Sequence, residues 1–213
     1  MTTQPDASRR HRYHHGDCRN ALIDVATQQA INGGGRDHIV LREAAREVGV
    51  SPTAAYRHFS SHDDLVTAVK HRALDRLAAT MALKVRRAGG DPVRTLRALG
   101  RAYVEFAVAE PGLFRVAFSR TDHDVAVDTG GPSDSEAYNA LSRALDALVD
   151  AGLIDTGRRP GLELPVWSAV HGLAVLLIDG PPLELSQRRL KLAIEGTLDM
   201  VLTGVTRDGP NES

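Results

Sequence analysis

Apolar residues recur along the chain at intervals of three and four positions, which is the spacing of one face of an α-helix. This pattern predicts helices over residues 17–31, 41–48, 52–59, 61–87, 92–110, 113–119, 135–151, 163–178 and 184–202. No stretch alternates with the two-residue period of a β-strand, and each short apolar run fits a longer helical pattern better. We therefore predict an all-α fold of eight or nine helices without internal repeats.

Glycine and serine mark several ends of the predicted helices. The glycine run at 33–35 ends the first helix and Gly49 ends the second, because glycine tolerates the positive φ angles that follow a helix. Ser51 before a proline predicts a capped start for the third helix, and Ser61 with an aspartate three positions later predicts a capping box for the fourth. The polar stretch 120–134 predicts a loop.

The two short helices at 41–48 and 52–59 have the sequence shape of a helix-turn-helix around Gly49. Ala44 and Ala45 on the first helix are small enough for the second to pack closely. The second helix presents short and polar side chains, so it fits the major groove of DNA, where it can read base edges. The helix that starts after Ser61 offers free N–H groups to a phosphate.

Charge is distributed unevenly along the chain, although the net charge is only −1. Residues 1–90 carry 14 Lys and Arg against 9 Asp and Glu, and hold seven of the nine histidines. Residues 91–213 carry 12 Lys and Arg against 18 Asp and Glu. The basic first part and the acidic second part of the chain suggest one module that binds a polyanion, joined to another that does not.

Composition argues against several other classes of protein. The single cysteine, Cys18, excludes an internal disulfide or a cysteine-rich zinc site, and we do not favour it as a redox sensor. No apolar run is long enough to span a membrane and the polar N-terminus is not a secretory signal, so we expect a cytoplasmic protein. We expect no metal and no cofactor, because the polar clusters lack the spacing of zinc and calcium sites. These clusters are His11, His14 and His15, and Asp122, His123, Asp124 and Asp128.

The stretch LREAAREVGVSPTAAYRHFSSHDDL, within residues 12–70, resembles the DNA-binding domain of the TetR family of bacterial transcriptional regulators. The stretches Tyr13 to Asp17 and Glu110 to Phe118 also resemble segments of such proteins. Trp167, His171 and Gly172 match the Trp-His-Gly signature of one branch of that family.

The resemblance implies an all-α homodimer that binds DNA with its first three helices and a small effector with its C-terminal helices. We expect a flexible basic arm at 1–12, a helix-turn-helix domain at 13–62, an effector-binding and dimerisation domain at 63–205 and a disordered tail at 206–213. In the family the last two long helices form the dimer interface. The apolar helices 163–178 and 184–202 fit this role, because they are more apolar than a monomer needs.

The family pattern also implies which residues lie at the DNA. They are Arg42, Pro52, Thr53, Ala54, Tyr56, Arg57, His58 and His62. Tyr56 and His58 are expected mostly at phosphates, whereas Arg57 is expected nearer the bases. The chain departs from the family pattern twice. His62 stands where many members have lysine, which makes a phosphate contact pH-sensitive, and Val40 leaves the helix at 41–48 without its usual cap.

Aromatic residues in the second half are the best material for an apolar effector pocket. They are Tyr103, Phe106, Phe114, Phe118 and Trp167, joined by His171 one helical turn beyond the tryptophan. The same residues also suit an ordinary core, and the sequence leaves both interpretations open.

The function that combines these features is a ligand-responsive repressor. We expect a dimer on a palindromic operator in the bacterial nucleoid, released from DNA by a small apolar effector. Three alternatives remain: an activator of the same fold, an architectural DNA-binding protein, and an all-α enzyme that uses His171 with Glu163 or Asp179. No polar group stands at a spacing that would orient His171, which disfavours the enzyme.

Overall fold

The computed structural model describes residues 15–121, 135–181 and 186–206, and these residues form nine α-helices and no strand. The helices are α1 His15–Gly33, α2 Leu41–Val48, α3 Pro52–Tyr56, α4 His62–Arg86, α5 Pro92–Ala109, α6 Pro111–Ala117, α7 Glu136–Asp150, α8 Glu163–Asp179 and α9 Gln187–Thr206. Short 3₁₀ turns lie at Arg36–His38 and Thr156–Arg158. The predicted all-α fold is confirmed.

Most predicted helix ends agree with the structure within two residues, because local capping signals set them. Gly49 adopts a left-handed φ of 81° after α2, and the serine-led capping box of α4 is formed. Helix α3 is shorter than predicted and ends at Tyr56, because the chain turns there to bury Phe59 against the core under the Arg19 guanidinium. The sequence pattern missed this because Phe59 continues the apolar spacing.

The C-terminal end of α9 also differs from the prediction. Thr206, expected to begin a disordered tail, is the last residue of α9, and its hydroxyl donates to the Leu202 carbonyl. The predicted start of this helix at residue 184 lies outside the described residues. The same holds for the arm at 1–12, the side chains of His11, His14 and His15, residues 122–134 of the predicted loop with its acidic cluster, and the tail beyond Thr206.

Helices α1, α2 and α3 pack on the start of α4 through small and aliphatic side chains. Leu22, Ala44, Ala45, Ala55 and Leu65 are all fully buried there. The remainder of α4 continues into the second half of the molecule, where α5 is the central helix and contacts α4, α6, α7, α8 and α9. A single long helix thus belongs to both halves.

Helix α6 connects the two halves a second time. It contacts α1, α4 and α5, and its Gly112 lies directly against the backbone of α1. A Cβ atom at Gly112 would lie 2.1 Å from the Ala30 carbonyl oxygen, which is well inside van der Waals contact. The glycine is therefore required for this close approach.

Candidate DNA interface and ligand cavity

The turn between α2 and α3 has the geometry of a helix-turn-helix. The Val50 N–H donates to the Ala45 carbonyl at 2.9 Å, which closes the turn after Gly49. The Ser51 hydroxyl accepts from the Ala54 N–H at 3.2 Å and caps α3 as the sequence predicts. Buried Ala55 packs towards α2, so the opposite face of α3 is free to meet a partner.

The outward face carries most of the residues that the family pattern assigns to DNA. Pro52, Thr53, Tyr56 and Arg57 are exposed, and Ala54 and His58 are half-buried. Arg42 is exposed on the neighbouring helix α2. The side chains of Arg42 and Arg57 form no hydrogen bond or ion pair with any described residue, so both guanidinium groups are available to phosphate or base oxygens.

The N-terminus of α4 differs from the sequence expectation of a free phosphate site. The Asp64 carboxylate accepts from the backbone N–H groups of Ser60 and Ser61, at 2.9 and 3.2 Å. His62 directs its Nε2 to the Ile39 carbonyl at 3.1 Å, and its Nδ1 lies 3.5 Å from the Asp63 carboxylate. Two carboxylates, one of them paired with Arg36, therefore lie at this terminus, and a phosphate contact of His62 stays a prediction.

A side chain from another helix holds the residue that precedes α2. The Gln29 amide of α1 accepts from the Val40 N–H at 3.0 Å and donates to the Val40 carbonyl at 3.4 Å. This pairing fixes the entry into α2 although Val40 itself has no capping atom. The sequence alone gives no signal for it, because the two residues lie on different elements.

The second half of the chain forms an apolar cavity between α4, α5, α7, α8 and α9. It contains about 590 Å³ of space between atoms, part of which is open to solvent. Its wall is formed mainly by aliphatic side chains from these helices, including Met81, Leu99, Leu141, Val170 and Leu198. A concave, mostly apolar site with few polar groups is the usual form of a small-molecule site.

Three of the six residues expected at the effector line this cavity. Tyr103, Phe118 and Trp167 are in the wall, whereas Phe106, Phe114 and His171 are not. Phe106 and Phe114 are buried core residues, and the Phe114 ring stacks on the His171 ring with centroids 5.6 Å apart. The sequence left open whether these residues form an effector pocket or an ordinary core. Three of the six line the cavity, and the other three lie outside its wall.

Hydrogen bonds connect the cavity wall to His171. The Trp167 Nε1–H donates to the Tyr103 hydroxyl oxygen at 3.0 Å, and this hydroxyl lies 2.7 Å from His171 Nδ1. The direction of the second bond depends on the histidine tautomer: with the ring proton on Nε2, the Tyr103 hydroxyl donates to Nδ1. Burial lowers the pKa of His171, and it raises that of Tyr103, so both groups are uncharged near neutral pH.

Sequence reasoning missed two polar residues of the wall, Ser135 and Tyr138. Ser135 was predicted only as the start of a helix, and Tyr138 stands alone among small residues of α7. Their three-residue spacing places them on one helix face. No sequence pattern could show that this face turns towards Trp167, whose ring centroid lies 6.5 Å from that of Tyr138.

Arg115 on α6 links both halves of the molecule. It donates from Nη1 to the Gly34 carbonyl at 2.9 Å, just after α1. It also donates from Nε to the Asp179 carboxylate at 2.7 Å and from Nη2 to the Ile178 carbonyl at 3.1 Å, at the end of α8. One side chain thus joins the helix that carries Trp167 to the first helix of the DNA-binding half.

The arrangement does not support an enzyme that uses His171 with a carboxylate. Glu163 is bound by the Arg159 guanidinium at 2.8 Å and by the Ser142 hydroxyl at 2.9 Å. Asp179 is bound by Arg115. Among the described residues no group of three or more metal-ligating side chains is assembled, and no helix combines the length and apolar content of a membrane span.

Known proteins of similar sequence share this architecture. The family described as "Tetracyclin repressor-like, C-terminal domain" matches residues 96–201. An uncharacterized HTH-type transcriptional regulator of Mycobacterium tuberculosis is 32% identical over 177 residues, which cover 81% of this chain and 72% of the relative. The chain belongs to the TetR family of transcriptional regulators. Regulators of this family are not enzymes, so the enzyme alternative is excluded.

Solved structures agree with the fold of this TetR-family chain. A protein of unknown function from Rhodococcus sp. RHA1 superposes with a TM-score of 0.68 at 26% identity, covering 92% of this chain and all of that one. The TetR family regulator PfmR from Thermus thermophilus superposes with a TM-score of 0.55 at 19% identity, covering 88% of this chain and 99% of PfmR. The narrower Trp-His-Gly branch stays a prediction.

Proposed function

We propose that this TetR-family regulator is a dimeric repressor that binds a palindromic operator and leaves it when a small apolar molecule enters the cavity. The observation that carries the proposal is the combination, in one subunit, of an exposed helix-turn-helix surface with unpaired arginine side chains and an apolar cavity. An architectural DNA-binding protein has no need for such a cavity. An activator of the same fold differs only in what its bound form does at a promoter.

The DNA contacts assigned by the family pattern suit the exposure of these residues. Arg57 and Arg42 present free guanidinium groups, and Tyr56 keeps 45% of its surface exposed. In a dimer, two α3 helices would enter successive major grooves of one operator. This activity belongs to the cytoplasm, at the nucleoid.

Effector release requires that the cavity communicates with α1 to α3. The Arg115 contacts to Gly34 and to the end of α8 support such a route, because α8 forms part of the cavity wall. We expect a ligand that displaces α8 to strain or break these contacts.

Selection of bound fragments from random DNA, followed by fluorescence anisotropy at two salt concentrations, tests the proposal. We expect a palindromic consensus bound with a Kd of order 10⁻⁸ to 10⁻¹¹ M and a steep dependence on salt. Arg57→Ala should weaken operator binding by about 1–3 kcal/mol. Arg94→Ala, at an exposed position on α5, is the matched control and should leave it unchanged. Weak binding that is equal for all sequences would contradict the proposal.

A further inference from the structure

Two hydroxyl groups in the cavity wall have no hydrogen-bond partner within the described residues. Ser135 is the N-cap residue of α7, but its side chain accepts no bond from the helix that it precedes. It is 8% exposed and lines the cavity. Tyr138, three residues later on the same face, also lines the cavity, and its ring packs edge-on with the Trp167 ring.

The unpartnered hydroxyl of buried Ser135 requires a physical reason, whereas Tyr138 is only half-buried. An N-cap serine normally bonds its own helix, and losing that bond costs about 0.5–2 kcal/mol. A buried hydroxyl without a partner costs about 1–3 kcal/mol more than a satisfied one. Tyr103 and Trp167, the other polar groups of the wall, already bond within the chain. The free hydrogen-bonding capacity of the wall is therefore concentrated at the start of α7.

The charge of the wall restricts what these hydroxyls can bind. No Lys, Arg, Asp, Glu or His among the described residues lines the cavity. The nearby Glu163 carboxylate is already paired with Arg159 and Ser142. An ionised ligand would lose its hydration without gaining a counter-charge, which is strongly unfavourable. The described part of the wall therefore favours an uncharged occupant.

We propose that the cavity binds an uncharged, mainly aliphatic molecule with one terminal oxygen, of the alcohol, ketone or ester class. Ser135 and Tyr138 bind this oxygen, and the hydrocarbon part lies against the aliphatic wall. A carbonyl oxygen has two lone pairs and accepts from both hydroxyls, which lie one helical turn apart. The inference rests on the proposed function in taking this cavity as the effector site.

Trp167 provides a direct measurement of binding, because it is the only tryptophan of the chain and lines the cavity. We would titrate the full-length chain at pH 7.5 with 2-octanone, 1-octanol, octanoate and octylammonium, and follow Trp167 fluorescence. We expect the ketone and the alcohol to bind, and the two ions to bind at least about tenfold more weakly, which corresponds to about 1.4 kcal/mol. Equal binding of octanoate, or no binding of any probe, would overturn the proposal.

Variants at the two hydroxyls test the assigned contact. Ser135→Ala and Tyr138→Phe should each weaken 2-octanone binding by about fivefold, the usual loss for one hydrogen bond. Ser186→Ala is the matched control, because Ser186 is an exposed N-cap serine whose hydroxyl does bond its helix, at the Arg189 N–H. It should leave 2-octanone binding unchanged. If both hydroxyl variants bind 2-octanone like the natural chain, the oxygen contact is refuted while the cavity remains a binding site.

A parallel assay separates this inference from the proposed function. The selected operator is titrated with the chain in the presence and absence of 2-octanone. If the hydroxyl variants lose ketone binding but saturating ketone leaves operator affinity unchanged, the ligand chemistry stands and effector control of DNA binding fails. If the ketone releases DNA equally from the natural chain and from both hydroxyl variants, effector control stands and the role of the hydroxyls fails.

Discussion

At the scale of single residues, the Tyr103 hydroxyl satisfies two partly buried groups at once, Trp167 Nε1–H and His171 Nδ1. Tyr103→Phe leaves both without this partner, so we expect the free energy of unfolding to fall by about 1–3 kcal/mol. Tyr138→Phe is the matched control, because the Tyr138 hydroxyl bonds no described residue and its loss should cost little. Urea denaturation followed by circular dichroism measures both. Equal losses in the two variants would contradict the hydrogen-bond chain.

Protonation of His171 should lower the free energy of unfolding, so the stability of the fold should depend on pH. Burial lowers its pKa below the ordinary value of 6.5, so at mildly acidic pH the unfolded chain binds more protons than the folded one. The stability that the neutral ring contributes is therefore complete above pH 6.5 and is lost as pH falls towards the folded pKa. Protonation would also place a second N–H against the Tyr103 hydroxyl.

We expect His171→Gln to reduce the loss of stability between pH 7 and pH 5. His71→Gln, at an exposed histidine of α4, should keep the full loss and serves as the control. Urea midpoints measured at half-unit pH steps test this. A pH dependence that is the same in both variants would assign it to other groups.

The sequence could identify these residues but not their partners. Tyr103, Phe118 and Trp167 were expected at an apolar pocket because large aromatic side chains suit one, and they line it. Ser135 and Tyr138 could not be found this way. Periodicity assigns each to a face of its own helix, whereas the cavity depends on how the faces of five helices converge.

At the scale of elements, α6 depends on a glycine. In Gly112→Ala the new Cβ would meet the backbone of Ala30, which no rotamer change can relieve. Although alanine favours helix formation, we expect the variant to lose at least about 1–3 kcal/mol, the usual cost of overpacking. Ala79→Gly, at an exposed position of α4, should lose only about 1 kcal/mol through helix propensity and calibrates the measurement. A stabilised Gly112→Ala would show that α6 and α1 are not in close contact.

If α6 transmits the effect of ligand binding to the DNA-binding helices, Arg115 should be required for the ligand to change operator affinity. Its three bonds join the Gly34 carbonyl to the end of α8. We expect Arg115→Ala to bind 2-octanone through Trp167 as the natural chain does, but to reduce the ligand-induced change in operator affinity by about fivefold or more, within the usual range of coupling energies. Arg143→Ala removes an exposed ion pair on α7 and should leave the coupling intact. Unchanged coupling in Arg115→Ala would exclude this route.

Helix ends were predicted accurately where local signals set them and inaccurately where tertiary contacts set them. Helix α2 agrees with its prediction at both ends, because Gly49 and the amphipathic pattern are local signals. Helix α3 was predicted three residues too long, because burial of Phe59 is a tertiary contact that spacing cannot reveal. The link through Arg115 was invisible for the same reason, since it joins three segments distant in sequence.

At the scale of the whole molecule, the described subunit leaves apolar side chains of its last two helices in contact with water. Leu164, Val175, Leu176, Leu192 and Met200 are exposed on α8 and α9, with Leu176 at 55% and Met200 at 71%. Apolar residues clustered on two adjacent helices are typical of an interface. The faces of α8 and α9 would bury them in a second copy, which also supplies the second α3 helix that a palindromic operator needs.

We therefore expect the 23.0 kDa chain to sediment as a dimer and the double variant L176E/M200E as a monomer with unchanged helical content. Burying two carboxylates in an otherwise apolar interface is strongly unfavourable, which opposes association. Leu83→Glu, at a leucine of α4 that is 44% exposed, is the matched control and should remain dimeric. Because two linked half-sites bind far more tightly than one, the double variant should also lose at least about 100-fold in operator affinity while keeping 2-octanone binding. Sedimentation of the natural chain as a monomer, or equal dissociation of the Leu83 variant, would show that α8 and α9 do not form the interface.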